Sequence, residues 1–134
     1  MKRTYHGSCH CKKISFEADI DLAEGTGKCN CTYCWKARWW GAGINPDAFR
    51  LIAGQERTGY AFPTTKFVTR AICTDCGITP FGWGHIPQVG GDFVSINVAC
   101  LDDLDPAELI AAPVRYMDGK NDNWWHPPAE TRHL

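Results

Sequence analysis

The sequence predicts a small, mainly β protein built around clustered sulfur, with one or two short helices. Three observations predict it. The clearest periodicity is two-residue alternation in segments of strand length. Helix signals are confined to two short stretches. Seven of the eight cysteines fall into three tight clusters, Cys9-His10-Cys11, Cys29-Asn30-Cys31-Thr32-Tyr33-Cys34 and Cys73-Thr74-Asp75-Cys76, at spacings that suit a metal ion.

In chain order, Ile14-Ser15-Phe16-Glu17-Ala18 alternates apolar and polar residues as a half-buried strand does. Phe49-Arg50-Leu51-Ile52 reads as a short strand. Residues 66–73, from Lys66 to Cys73, are β-branched and apolar and end on a cluster cysteine. Residues 93–98 put Val94, Ile96 and Val98 on one face, after the turn residues Gly90-Gly91-Asp92. A short helix is expected after Cys34, through Trp35-Lys36-Ala37-Arg38. A second is expected at Asp105-Pro106-Ala107-Glu108, where an acidic cap precedes proline at the first helical position and glutamate at the third. It runs through Leu109 to Ala111 and is ended by Pro113. The tail, Trp124-Trp125-His126-Pro127-Pro128, is aromatic and then proline-rich, and is expected to lie across the body in extended form. With no repeat and no long linker, residues 1–134 read as a single domain.

Hydrophobic residues make up 44% of the chain and charged residues 22%, the balance of an ordinary globular protein. The formal net charge of −1 argues against a broad grip on nucleic acid, which needs a basic face. No apolar run approaches the roughly 18 residues of a membrane span. Residues 1–7 hold Lys2 and Arg3 but no apolar stretch after them, which is not the pattern of a secretory signal. A reducing cytoplasm is therefore expected, where grouped thiols more often do metal or redox work than form disulfides. An even cysteine count also suits a disulfide scaffold, but the chain is long enough to fold without staples. Its Cys-x-Cys pairs are also awkwardly placed for bonding to each other. A redox reading of Cys73 and Cys76 would want a βαβ setting that the sequence does not offer.

On a strand, residues i and i+2 share a side, so Cys9 and Cys11 can reach one ion while His10 points away. Cys73 and Cys76 have knuckle spacing, and Gly77 lets the chain turn with backbone N–H groups aimed at sulfur. Two thiols plus two fill a closed tetrahedral site for a soft divalent metal such as zinc, whereas Cys29, Cys31 and Cys34 leave one position open. Spacing alone does not fix this division. Cys9 and Cys11 could join Cys29 and Cys31, leaving Cys34 with the last pair; the two-plus-two and three arrangement is preferred because it keeps the contiguous triad on one ion.

The open position could take water, a substrate sulfur or Cys100, with His10, His85 and His126 as weaker candidates. A lone buried cysteine is more often a core thiol than a ligand, and Cys100 is read that way. Tyr33, Trp35, Trp39 and Trp40 crowd the triad, either as core or as the wall of a substrate pocket. Lys36 and Arg38 could hold the carboxylate of an anionic ligand, or simply stay solvated. Gly41-Ala42-Gly43 lacks the spacing of a phosphate loop. Ser8 and His10 lack an acidic orienter, and Asp102-Asp103 reads as a solvated turn.

The three cysteine motifs in this order resemble the glutathione-dependent formaldehyde-activating enzymes and their relatives, which include centromere protein V. The residues that carry the resemblance are Gly7-Ser8-Cys9-His10-Cys11 with Ile14 and Phe16 after them, then Cys29, Cys31 and Cys34, then Ile72-Cys73, Cys76 and Gly77. Weaker echoes follow at Val98, Leu101 and Asp102 and over the Tyr116 to Trp125 stretch. The resemblance implies a β-tent fold with two zinc ions. Cys9, Cys11, Cys73 and Cys76 would hold a structural zinc, and Cys29, Cys31 and Cys34 a labile one at the catalytic position. It also implies a carbon–sulfur lyase that joins glutathione and formaldehyde into S-hydroxymethylglutathione. Around the second zinc the chain departs from the family: Asn30 stands where many members have histidine, Trp35 at a position often basic, and Trp39-Trp40 is not usual. Lys12 replaces a common glycine.

Chemistry on a small thiol adduct is thus the leading expectation, with a thiol such as glutathione as partner. A three-thiolate zinc is electron-rich, which favours thiol handling over water activation. The alternative is a non-catalytic zinc-stabilised binding module in which both ions serve the fold. Nucleic-acid association, suggested by one branch of the family, runs against the near-neutral charge.

Overall fold

The structure, a computed structural model, describes residues 1–57, 60–63 and 68–134, and the side chains of 1–56 and 68–134. Among the described residues the strands are β1 (Arg3–Ser8), β2 (Ser15–Ile20), β3 (Thr26–Cys29), β4 (Gly41–Ile44), β5 (Phe49–Ala53), β6 (Tyr60–Pro63), β7 (Val68–Ile72), β8 (Phe81–Ile86), β9 (Gly91–Asn97) and β10 (Val114–Met117). The helices are α1 (Thr32–Ala37) and α2 (Pro106–Ala111). The fold is mainly β, as the alternation predicts.

Two sheets face each other. One has the order β1-β2-β5, the other β10-β3-β4-β9-β8-β7-β6. Their pairings are antiparallel except for β10 beside β3. Alternation decides which side of each strand is buried. On β2 the residues Phe16, Ala18 and Ile20 face inward while Ser15, Glu17 and Asp19 stay partly exposed. On β9 Val94 and Ile96 are buried, and Val98 continues that face as the chain leaves the strand. The core lies between the sheets and joins Tyr5, Phe16 and Ile20 from one to Ala71, Phe81 and Ile96 from the other. Phe16, Phe49 and Phe81 meet ring to ring, with Phe49 and Phe81 centroids 4.7 Å apart.

The predicted strands at 14–18, 49–52 and 93–98 appear as β2, β5 and β9. The one predicted at 66–73 appears as β7, and its Lys66 and Phe67 fall outside the described residues. Helix α2 has the expected start: Asp105 accepts from the Ala107 N–H, and the Glu108 carboxylate accepts from the Asp105 N–H. Glu108 also takes both arms of Arg3, at 3.2 and 3.0 Å, which ties α2 to β1. The other helix begins earlier than expected. It starts at Thr32 inside the triad, because the Cys31 sulfur caps it by accepting the Cys34 N–H, a role usually filled by a serine or aspartate oxygen. Arg38 is not part of it but ends it in the left-handed conformation at φ 55°. The tail is not extended. It turns at Asp118–His126 and folds back, so that Arg38 and Lys28 donate to the main-chain oxygens of His133 and Leu134 at 2.7 and 3.2 Å.

Candidate metal centres and an adjoining pocket

The first sulfur cluster joins the two sheets. Past β1 the chain turns on two bonds, from the Cys9 N–H to the Ile14 carbonyl and from the Lys12 N–H to the Cys9 carbonyl, both 3.1 Å. Lys12 sits at φ 65°, the region that favours glycine. Past β7 a matching turn carries Cys73 and Cys76. The Gly77 N–H goes to the Cys73 carbonyl rather than to sulfur, and the N–H groups that reach the Cys76 sulfur are those of Cys11 and Ile78.

The four sulfurs of Cys9, Cys11, Cys73 and Cys76 lie within 4.8 Å of one another, and could hold a metal ion. The Cys9–Cys11 and Cys11–Cys73 separations are 3.6 and 3.7 Å. Four sulfurs at about 2.3 Å from a tetrahedral zinc would be spaced by about 3.8 Å, whereas a disulfide needs about 2.05 Å. All eight cysteines are free thiols. The donor set therefore suits a tetrahedral thiolate ion and not a disulfide framework. Against burial, N–H groups of Cys11 and Ile78 bring Cys76 down to about 6, the direction a ligand thiol needs. Cys11, despite the Lys13 N–H, is pushed up to about 11 by burial and its neighbouring thiols.

The second cluster lies beside the seven-stranded sheet. Cys29 ends β3, Cys31 caps α1 and Cys34 sits in its first turn, and the three sulfurs lie within 4.8 Å of one another. Backbone N–H groups of Cys31 and Cys34 point at the sulfurs of Cys29 and Cys31, at 3.3 and 3.4 Å. Hydrogen bonds from Cys29 and Cys34 hold Cys31 far below the usual thiol range; the same bonds, with burial, hold Cys29 and Cys34 above it. These thiols too could hold a metal ion. Among the described residues neither group includes a histidine or Cys100. Cys100 packs in the main core, and burial pushes its thiol up to about 12.

Side chains around the triad fix it in place. Asn30 turns away from the sulfurs: its amide donates to Asp118 at 2.8 Å, and its oxygen accepts the Lys120 N–H at 2.9 Å. That grip lays the 118–121 turn against Cys29. Arg70, a β7 residue with no sequence signal linking it to the triad, is buried at 6% exposure. Its guanidinium lies 3.9 Å over the Trp39 ring and donates through Nη2 to the Cys34 sulfur at 3.9 Å.

A cavity of about 220 Å³ opens beside Cys29 and Cys34, walled by Trp35, Trp39 and Trp40. Of the aromatic residues predicted to wall a pocket, these three do. Tyr33 instead reaches Thr79 with its hydroxyl at 3.3 Å. Of the two predicted cations Arg38 lines the cavity, and Lys36 is exposed on α1. Lys28, unforeseen, supplies the second cation, with Nζ 4.2 Å over the Trp40 ring. The Asp102-Asp103 turn is exposed, as expected, and its carboxylates tie it to β1: Ser8 donates to Asp102 at 2.6 Å and Asp103 pairs with His6 at 2.9 Å.

No curated protein matches the chain. A crystal structure of a Rhodobacter sphaeroides protein, a structural genomics target, superposes with a TM-score of 0.66 at 20% identity, over 82% of this chain and 99% of that one, a likeness of fold. No helix of the described residues is long and apolar enough to cross a membrane. Residues 4–117, which hold both sulfur clusters, match the profile of the glutathione-dependent formaldehyde-activating enzyme family, and the chain belongs to that family.

Proposed function

We propose that the protein is a cytoplasmic zinc-dependent enzyme of the carbon–sulfur lyase type. It joins a small thiol to an aldehyde, with glutathione and formaldehyde giving S-hydroxymethylglutathione as the family reaction. In this reaction the sulfur forms a bond to the aldehyde carbon and the thiol proton ends on the aldehyde oxygen. Cys9, Cys11, Cys73 and Cys76 hold a structural zinc. Cys29, Cys31 and Cys34 hold a second, which when bound supplies a coordination position where a thiol persists as thiolate at neutral pH.

The observation that carries the reading is that three thiols, without a fourth protein ligand among the described residues, adjoin a cavity with aromatic walls and two cations. Each wall residue has a task. Trp35, Trp39 and Trp40 exclude water from the reacting sulfur. Lys28 and Arg38 bind the carboxylate end of the thiol and so orient its sulfur toward Cys29 and Cys34. The test is adduct formation with a panel of thiols and aldehydes, comparing the native protein with Cys31→Ser. Equal rates would remove the catalytic role and leave a zinc-stabilised binding module.

A further inference from the structure

Arg70 presents a problem that its surroundings do not solve. A buried guanidinium is rare unless paired. Arg70 has no carboxylate partner among the described residues, and its Nε and Nη1 are buried without any hydrogen-bond partner. The niche is nevertheless built for it. One face of the guanidinium rests on Trp39, and Gly82 of β8 makes room on the sheet. A Cβ at Gly82 would come 2.9 Å from Arg70 Cδ, 3.2 Å from Nη1 and 2.5 Å from the Thr69 carbonyl oxygen. Among the described residues the one polar atom it reaches is the Cys34 sulfur.

Charge arithmetic gives the missing partner. A divalent ion held by three thiolates carries one net negative charge, and one guanidinium cancels it. We propose that Arg70 is the built-in counter-cation of the triad. It is a positioning residue that holds its charge against the Cys34 sulfur and sets how tightly the site holds a divalent metal. The inference rests on the reading of the triad as a metal site. Loading the triad also relieves the cost of an uncompensated buried cation, so metal affinity and the burial of Arg70 support each other. Among the described residues the four-sulfur cluster has no such buried cation, and it does not depend on Arg70.

Two substitutions separate charge from packing. Arg70→Lys keeps the cation and loses the planar fork; Arg70→Gln keeps amide donors and loses the charge. Purified protein is stripped and titrated with Co²⁺ against a competing chelator, and thiolate-to-cobalt absorption is followed. Cys31→Ser assigns the part of the spectrum that belongs to the triad. The expected result is that Arg70→Gln weakens the triad on the order of tenfold or more, that Arg70→Lys stays within about threefold of the native protein, and that the four-sulfur site is unchanged in both. Equal triad affinity in Arg70→Gln and native protein overturns the proposal, as does an equal loss in both variants, which is what mere packing would give. If Arg70→Gln loses the four-sulfur site as well, it has not folded; Arg70→Lys then decides, and a tenfold loss in that folded variant overturns the charge role. Native protein that binds no second ion fails at the earlier step, the metal reading itself, and is told apart by its cobalt stoichiometry.

Discussion

Gly119 lies directly against the sulfur of Cys29: a Cβ built on it would stand 2.6 Å from that Sγ and equally close to the Trp124 ring. The backbone at this position is not in the left-handed region, so only the missing side chain makes glycine necessary. Gly119→Ala is expected to push Cys29 off its place, with an overpacking cost of about 1–3 kcal/mol. Denaturant unfolding reads the stability. The metal content of the triad should fall, while that of the four-sulfur cluster holds.

The two sulfur clusters should differ in what their loss does. Cys9 and Cys73 sit in the main core, at the tips of turns from opposite sheets. Cys29 and Cys34 sit in a small separate cluster with Trp39. A structural zinc contributes roughly 10–16 kcal/mol in small peptides, as much as the whole stability of a domain. Cys73→Ser is therefore expected to give protein that does not fold cooperatively, and Cys31→Ser protein that does. A mild chelator should remove the triad's ion with the far-ultraviolet circular dichroism unchanged. Simultaneous loss of both ions with unfolding would count against this division.

The contrast between the clusters marks what the sequence makes legible. Cysteine spacing picks out all seven thiols that the structure gathers into two groups, because each motif is local in sequence; which motifs join is set by the sheets and not by spacing. The strands β3, β4 and β8 are harder to read, since Gly27, Gly41, Gly43, Gly82 and Gly84 dilute the β-branched pattern. Gly41 and Gly82 serve close approach instead: Gly41 lies against Trp39, and Gly82 gives Arg70 its room. Arg70 itself looks in sequence like any outward strand position, and its burial depends on β8 and Trp39, which lie far along the chain. Lys28 is hidden for the same reason. Its partners, Trp40 and the main-chain oxygen of Leu134, come from the next strand's approach and from the folded-back tail.

Acid should weaken the β1-β2-β5 sheet through Asp19. Two arms of Arg50, at 3.1 and 3.0 Å, and the Thr4 hydroxyl at 2.6 Å hold its pKa at about 2. The folded value lies below the unfolded value of about 3.9, so the contribution is complete above that pH and is lost as pH falls toward the folded value. Arg50→Met should lower the melting temperature at neutral pH. The difference from the native protein should shrink as pH drops from about 4 toward 2. A difference that stays constant over that range would assign the effect to lost packing of the arginine stem.

The cations of the pocket provide the sharpest test of substrate class. Lys28 and Arg38 now donate to two main-chain oxygens of the tail, Arg38 to the His133 carbonyl and Lys28 to the Leu134 oxygen. For Arg38 a carboxylate is a stronger acceptor than the His133 carbonyl, since bonds that involve a charged acceptor contribute about 1.5–3 kcal/mol where neutral ones contribute about 0.5–1.5. A thiol that carries a carboxylate should therefore displace the tail and dock there. Lys28→Met with Arg38→Met is expected to raise KM for such thiols about tenfold or more, with kcat little changed, because the interaction is made before and during the reaction alike. A neutral thiol such as 2-mercaptoethanol should show no change. Deleting residues 131–134 should act the other way and lower KM for the carboxylate thiols, because their competitor is gone. If the double substitution raises KM equally for neutral and anionic thiols, the cations shape the pocket and do not read the ligand's charge.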